Sequence, residues 1–501
     1  MTTHRIPAHA EFVGEWFLPS SEEEAQKIPG TLSWTSQQAS LELHDSFTPL
    51  RGAIYGDEVH TYPTVYGATT KSELVTLLDA SRAGAGLSIG PAGFRQPERL
   101  VSSWVVVGAH VDAQTLYSEI RVRIPGLQIW LCPSGIEQTI LHKTKETAPS
   151  VIYRIESLPE EKSEISSPPA TLGWGIDRTF SGDLITEISV MTSACLRIQT
   201  NTPQNLDWFF AQLGKVTTLL AFLAGTPMAP DEVTAKVANS DISVAVLVAL
   251  REANYCAHRK PSDFYMLRSN MDADLGATFA KWFELYDQIA MPCQLALSVL
   301  SSENLWLHVE FLSLMQALEG FHRATMPGLY TSEANYETVK HALSNAIPKT
   351  IGPDHRDALK SRIRYGNEVS LRKRLDALVS RLKLPLRRHI LGGDGAVPRS
   401  WVITRNYYTH WDEASRELTL DGVEMHRAGV RMRHLIRALY LDFVGVPQSA
   451  IAKSLLNACK DSQYLIQLNN AEHRKNHPEA ETTPMMYIGV KDAESPNESS
   501  S

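Results

Sequence analysis

The period of the apolar residues changes near Pro203, and that change limits the fold more than any other feature of the chain. Before it, short apolar runs are separated by Gly, Pro, Asn and Asp: Leu41-Glu42-Leu43, Val101 to Val107, Ile120-Arg121-Val122-Arg123-Ile124 and Val151-Ile152-Tyr153-Arg154-Ile155. Alternation of this kind predicts antiparallel strands with one face buried. After Pro203, Leu206, Phe209, Phe210, Leu213, Val216, Leu219, Leu220 and Leu223 recur at three- and four-residue steps. That spacing is a buried helical stripe, and the chain is expected to be largely helical from about residue 203 onward. The expected fold class is α+β, with an antiparallel β-rich N-terminal domain followed by an all-α bundle.

A stronger helix starts at Asn304, runs through Leu305, Val309, Leu312, Met315, Leu318 and Phe321, and stops near Pro327-Gly328. Further helices are predicted over 332–346, 354–365, 370–382, 398–413, 423–443 and 448–468. These patterns divide the chain into a β-rich domain over 1–300, a helical domain over 301–475 and a polar, disordered tail over 476–501. Pro159 to Pro169, rich in Ser and Glu, reads as a solvated loop and a possible boundary between lobes.

Charge narrows the functional classes. The 501 residues carry 48 basic and 56 acidic side chains, a net −8, so the surface as a whole does not attract nucleic acid. Residues 351–400 depart from this, with twelve Lys/Arg against five Asp/Glu, a local +7 that leaves −15 for the remainder. Within this stretch Arg372, Lys373, Arg374, Arg381, Arg387 and Arg388 are the candidate phosphate-binding cations, although a solvated helix face has the same composition. The five cysteines are widely spaced, so neither a zinc knuckle nor a disulfide framework is suggested and a reducing cytoplasm is expected. Met1 to Trp16 has no apolar stretch of the kind that directs export, and no window of about 18 uninterrupted apolar residues occurs. A soluble, cytoplasmic protein without a membrane segment, metal or cofactor is therefore expected.

Chemistry concentrates just beyond the basic stretch, in Trp401-Val402-Ile403-Thr404-Arg405-Asn406-Tyr407-Tyr408-Thr409-His410-Trp411-Asp412, on a helix opened by Pro398 and Ser400. Asn406 and His410 stand four residues apart and share a helical face, and the long arm of Arg405 reaches the same edge. A guanidinium, an amide and an imidazole suit metal-free RNA cleavage: imidazole moves a proton between the ribose 2′-hydroxyl and a leaving oxygen, and guanidinium neutralises the phosphorane. Spacing alone is weak. With 30 Arg and 17 His, about three pairs separated by four to six residues arise by chance, and three occur: Arg405/His410, Arg427/His434 and Arg251/His258. Arg427/His434 shares its helix with Arg431, Arg433 and Arg437 and reads as part of a basic face. Gly86-Leu87-Ser88-Ile89-Gly90 matches a nucleophile elbow, but Pro91, Gly93 and Pro97 follow where a helix is required, so a Gly-rich loop is expected.

Context separates the three pairs. Arg405-Asn406-x3-His410, preceded by Leu312 to Arg323 (Leu-Ser-Leu-Met-Gln-Ala-Leu-Glu-Gly-Phe-His-Arg), resembles the HEPN ribonuclease domain of ApeA-like phage-defence proteins. Gly14-Glu15-Trp16-Phe17-Leu18-Pro19, Pro29-Gly30-Thr31-Leu32, Leu41-Glu42-Leu43 and the Leu127/Trp130-Leu131 segment resemble the ApeA N-terminal domain that precedes that module. The resemblance implies an antiviral, metal-independent endoribonuclease acting on RNA, with tRNA as one target class and a phage protein as a trigger. It also implies a homodimer, or a higher homo-oligomer, in which two such helices build one cleft. Carried onto this sequence, His410 is the proton-transfer residue or phosphate ligand, Arg405 the phosphate clamp and Asn406 the amide that orients the histidine, with Glu319, His322 and Tyr408 as possible support. Tyr407 and Tyr408 could stack a base or fill the core. The competing expectation is a binding protein that senses a phage component or a nucleotide and uses the helical bundle only to dimerise.

Overall fold

The computed structural model describes residues 9–476 apart from 20–25, 36, 49–59, 87, 91–92, 132–134, 142–149, 157, 184–185, 250–259, 303 and 457–458. The chain forms two compact units. One comprises 1–261, 267–269 and 275–280, and the other 262–266, 270–274 and 281–501. The expected tail over 476–501 lies, apart from Asn476, outside the described residues.

The first unit is built from β1 (His9–Phe17), β2 (Ile28–Thr35), β3 (Ala39–Leu43), β4 (Thr61–Thr69), β5 (Leu74–Ala85), β6 (Ser88–Gly90), β7 (Gly93–Arg95), β8 (Glu98–Ser102), β9 (Trp104–Val107) and β10 (Tyr117–Arg123), then the short helix α1 (Leu127–Leu131). There follow β11 (Ile136–Leu141), β12 (Ser150–Ile155), β13 (Glu161–Ser166), β14 (Pro169–Gly182), β15 (Ile188–Gln204), helix α2 (Leu206–Ala224), β16 (Glu232–Val237) and β17 (Ser243–Val248). Thirteen strands form one antiparallel sheet in the order β13-β14-β15-β10-β16-β17-β9-β5-β4-β1-β2-β3-β8. Because β8 also pairs with β5, the strands β5, β4, β1, β2, β3 and β8 close on themselves as a six-stranded barrel. Closure pairs the β8 edge of the sheet, which would otherwise present unpaired backbone groups to other chains.

Alternation fills this barrel. Phe12 and Trp16 of β1, Leu32 and Trp34 of β2, Leu41 and Leu43 of β3, Val65 of β4, Leu77 of β5 and Leu100 of β8 form one buried cluster. Trp16 is wholly buried, and its indole N–H donates to the Gly30 carbonyl at 3.1 Å, so its one polar atom is satisfied. Gly67 faces the ring, where any Cβ would collide with it.

Three expectations need correction here. The stripe beginning at Leu206 is one buried helix, α2, but β16 and β17 follow it, so the chain does not become helical at 203. An amphipathic helix on a sheet and a helix in a bundle carry the same period, which is why the pattern could not separate them. Pro159 to Pro169 is not a loop or a lobe boundary: it contains β13, which pairs with β14 and buries Ser163 and Ile165. Ser88 belongs to β6, which pairs antiparallel with β7, and no helix follows it. Among the described residues α2 is long and apolar enough to cross a membrane, yet Phe209, Val216, Leu219, Leu220 and Phe222 are buried within the unit.

The second unit is helical: α3 (Leu275–Leu300, which begins in the sheet unit), α4 (Leu307–Thr325), α5 (Glu333–Asn345), α6 (Pro353–Arg364), α7 (Leu371–Ser380), α8 (Leu384–Leu391), α9 (Arg399–His410), α10 (Gly422–Phe443), α11 (Gln448–Ser454) and α12 (Lys460–Asn476). Helix α10 starts where Asp421 accepts from the Glu424 amide and Glu424 reaches back to the Asp421 amide, a reciprocal cap. Ser332 and Ser370 cap α5 and α7 in the same fashion with one bond each. Helix α4 packs against α10, α7 and α9, with Phe321 against Tyr440 at 4.4 Å between ring centres. The predicted helix 448–468 is split into α11 and α12, and α3 and α8 were not among the helices predicted individually.

Replacing Trp16 with Ala should leave a large void in the barrel and destabilise the sheet unit by about 3–5 kcal/mol. Denaturant unfolding followed by far-ultraviolet circular dichroism checks this as a loss of the midpoint.

Candidate functional site

Helix α9 directs Trp401 and Thr404 inward and leaves Asn406 and His410 exposed, with Arg405 half-buried between the two faces. The Thr404 hydroxyl accepts from the Leu420 amide at 2.9 Å and so ties the segment after the helix to its inner face. His410 lies five positions beyond Arg405, a rise of about 7.5 Å along the axis. Within one copy the two groups therefore stand along an edge and are not in contact at a point.

Arg405 is held by α4. Its Nη2 donates to Oε2 of Glu319 at 3.1 Å, and its Nη1 to Oδ1 of Asn406 at 3.3 Å. The other carboxylate oxygen of Glu319 accepts from Arg323, at 3.2 Å from Nε and 3.1 Å from Nη2. Arg323 also pairs with Glu368 at 2.8 Å, and Glu368 accepts in turn from Nη2 of Arg374 at 3.2 Å. Arg374 completes the string by donating from Nη1 to Nδ1 of His322 at 3.2 Å. His322 is buried, and desolvation together with Arg374 and Arg323 pushes its pKa down, so its ring is neutral and accepts. The string joins three guanidinium groups to two carboxylates, a formal +1 in all, with Arg405 at one end and the buried Arg374 and His322 at the other.

The candidate residues sort accordingly. Glu319, expected only as possible support, is the direct partner of Arg405. Asn406 meets Arg405, whereas the sequence reading had it orienting His410. Tyr408 lies parallel to His308, 5.9 Å between ring centres and 10° between planes. Arg374 is corrected: it is 2% exposed and belongs to the buried string, so it does not offer a surface charge to RNA. Of the other cations in that stretch, Arg372 pairs with Asp376 at 2.8 Å and Arg381 with Asp442 at 3.1 Å, while the ammonium of Lys373 sits 4.5 Å over the Tyr330 ring. Arg388 is exposed and Arg387 half-buried. The basic composition is thus partly neutralised locally, which reduces but does not remove its pull on phosphates.

Of the rival pairs, Arg427/His434 falls away. Arg251/His258 lies outside the described residues. His434 is buried, and its Nε2 donates to the Asp461 carbonyl at 3.1 Å. Arg431 and Arg437 also point inward, onto Glu472 at 2.8 Å and Asp461 at 2.7 Å, so this is no solvated basic face. Among the described residues no three His, Cys, Asp or Glu side chains converge as metal ligands would. In the sheet unit a pocket of about 540 Å³ is lined by Glu42, His44, Arg95, Glu98 and Arg99 among others, large enough for a small ligand. Sequence reasoning missed Arg323 and Glu368, and also His308, Trp306 and Trp411 beside α9. Only the four-residue spacing of Glu319 and Arg323 was readable in advance.

A helical bundle that sets an Arg-Asn-x3-His edge on one helix, anchored to a carboxylate on its neighbour, follows a barrel-containing β unit, and this order defines an ApeA-like architecture. The ApeA N-terminal domain 1 model matches residues 11–282, and the Apea-like HEPN model matches residues 312–450. The chain belongs to this ApeA-like family. No curated protein and no solved structure matches it. A HEPN domain of this kind supports a nuclease or RNA-related defence role, and the HEPN family generally is ribonuclease.

Two outcomes are expected. Removing Glu319 or Arg405 singly should cost stability, and a double-mutant cycle between Glu319→Ala and Arg405→Ala should give a coupling of about 0.5–1 kcal/mol, modest because both side chains keep some contact with water. The second concerns pH. Burial lowers the pKa of His434 to about 3 and that of His389 to about 4, whereas both titrate near 6.5 when unfolded. The unfolded chain then binds more protons, so stability is intact above pH 6.5 and falls on acidification, by about 1.4 kcal/mol per pH unit for each histidine. Replacing both with Gln should flatten the slope of the unfolding free energy between pH 6.5 and 4.

Proposed function

We propose that the protein is a metal-independent endoribonuclease of the HEPN type that cuts RNA in antiviral defence, in a cleft built from the α9 helices of two copies. The observation that carries this reading is the anchoring of Arg405: a half-buried guanidinium held by Glu319, at the end of a string with a formal +1, beside two exposed groups suited to phosphate and proton transfer. A cation fixed before the substrate arrives needs no reorganisation as charge develops, which is where electrostatic catalysis gains most.

The chemistry is in-line transesterification. The imidazole of His410 from one copy removes the ribose 2′-proton as the 2′-oxygen bonds to phosphorus, and Arg405 balances the charge of the phosphorane. The bond from phosphorus to the 5′-oxygen breaks, and the partner copy's imidazolium returns a proton to that oxygen. The products are a 2′,3′-cyclic phosphate and a 5′-hydroxyl. Pairing of two copies supplies what one lacks, since each α9 carries one imidazole and places it a turn and a half from its arginine. Arg372, Lys373, Arg381, Arg387 and Arg388 guide the flanking backbone, and the β unit senses the infection signal. tRNA is the first substrate class to try.

Incubating purified protein with total RNA in EDTA should yield fragments ending in 2′,3′-cyclic phosphate. Arg405→Ala and His410→Ala should each lower cleavage at least 10²-fold while leaving the circular dichroism spectrum and the dimer unchanged. Full activity in both variants would remove the assignment, and intact RNA with tight ligand binding would favour a sensor that uses the bundle only to pair.

A further inference from the structure

Two exposed tryptophans occupy positions where another residue would serve folding better. Trp306 takes the N-cap position of α4 and makes no side-chain bond to the free amides of the first turn, although Ser, Thr, Asp or Asn there would. Its indole is 78% exposed. Trp411 ends α9 in the left-handed region, at φ 53°, where Gly is favoured and a bulky side chain is strained, and it is 69% exposed. Trp411 directly follows His410.

The two indoles are joined by a path of rings. Trp306 lies 6.4 Å from His308, His308 stacks in parallel on Tyr408 at 5.9 Å, and Tyr408 meets Trp411 at 6.0 Å, with Tyr407 set edgewise between Tyr408 and Trp411. The path thus runs over the surface from the start of α4 to the last turn of α9, beside the Arg405 and His410 edge. Trp306, His308 and Trp411 are exposed and Tyr408 is half-buried, and Tyr408 and Trp411 share α9 with the Arg405 cation. A ligand with both a flat π system and a negative charge matches that pair of features, and an unpaired nucleotide is such a ligand.

We infer that Trp306, His308, Tyr408 and Trp411 form a stacking platform for unpaired bases next to the scissile phosphate, so that the substrate is single-stranded or looped RNA and base-paired RNA is refused. The inference rests on the ribonuclease reading above and gives it a substrate class. Stacking on aromatic faces tolerates every base because each has a π face, and it requires that the base be free of its pair. The platform therefore selects for strand state and only weakly for sequence, leaving the cut position to the geometry at His410.

The probe is a single-stranded oligoribonucleotide with 2′-O-methyl sugars, which removes the attacking hydroxyl, carrying 2-aminopurine at successive positions. Bound to the full-length dimer, one or two positions should show strong fluorescence quenching, and a duplex of the same sequence should bind at least tenfold more weakly. Trp411→Gly suits the local backbone, so it should keep or raise the melting temperature while losing the quenching and about tenfold in affinity; Trp306→Ala should behave alike in binding, and Trp411→Phe should retain most of it. Unchanged quenching and affinity in both Trp411→Gly and Trp306→Ala would overturn the platform. So would conversion of either variant to monomers with binding per protomer unchanged, because the rings would then be covered by a second copy. The probe cannot be cut, so quenching is independent of catalysis: natural RNA still cleaved by Arg405→Ala and His410→Ala would sink the ribonuclease reading alone.

Discussion

One carboxylate holds the site together. Glu319 gives one oxygen to Arg405 on α9 and the other to Arg323 on its own helix, and through Arg323 it reaches Glu368, Arg374 and the buried His322. Three cations in that string would repel one another without the two carboxylates, and two carboxylates alone would repel a phosphate. The balance that results is a fixed guanidinium, Arg405, in front of two cations and two carboxylates that cancel, so the whole string carries a formal +1. Isolated surface ion pairs contribute little to stability, so the string matters less as a brace than as a means of fixing where Arg405 points.

The sheet unit solves a different problem. A thirteen-stranded antiparallel sheet offers long edges for unwanted pairing, and the closure of β8 onto β5 converts part of it into a barrel whose interior is filled by alternating residues of six strands. Trp16, with its indole bonded to Gly30, and Gly67, which makes room for the ring, show how closely that interior depends on particular residues. Burial of this kind gives the β half its own core.

Much of this was legible from periodicity. Alternation in Leu41 to Leu43 and Ile120 to Ile124 marked strands because one face of each is buried, and the three-residue steps of Leu312, Met315, Leu318 and Phe321 marked α4. The failures have physical causes. Helix α2 has the same period whether it lies on a sheet or in a bundle, so β16 and β17 were missed behind it. Ser163 takes an inward position in β13 between exposed Lys162 and Glu164, and with so few apolar residues the strand read as a loop. At the site, Arg405, Asn406 and His410 were readable as a pattern on one helix, whereas Glu319 entered only as possible support through the family resemblance, and its contact with Arg405 was not foreseen. The inward turn of Arg374, Arg431 and Arg437 was not, because composition counts charges without saying which carboxylate each one meets.

The claim most in need of a direct trial is that two copies of α9 act on one phosphodiester. A purified heterodimer, isolated through two different tags, would join one wild-type protomer to one carrying Arg405→Ala and His410→Ala, and its rate of RNA cleavage would be compared with that of the wild-type dimer. A shared cleft predicts activity far below half of wild type, since every cleft then lacks one imidazole and one guanidinium. A rate of one half would mean that each protomer cuts alone, and would contradict the composite site.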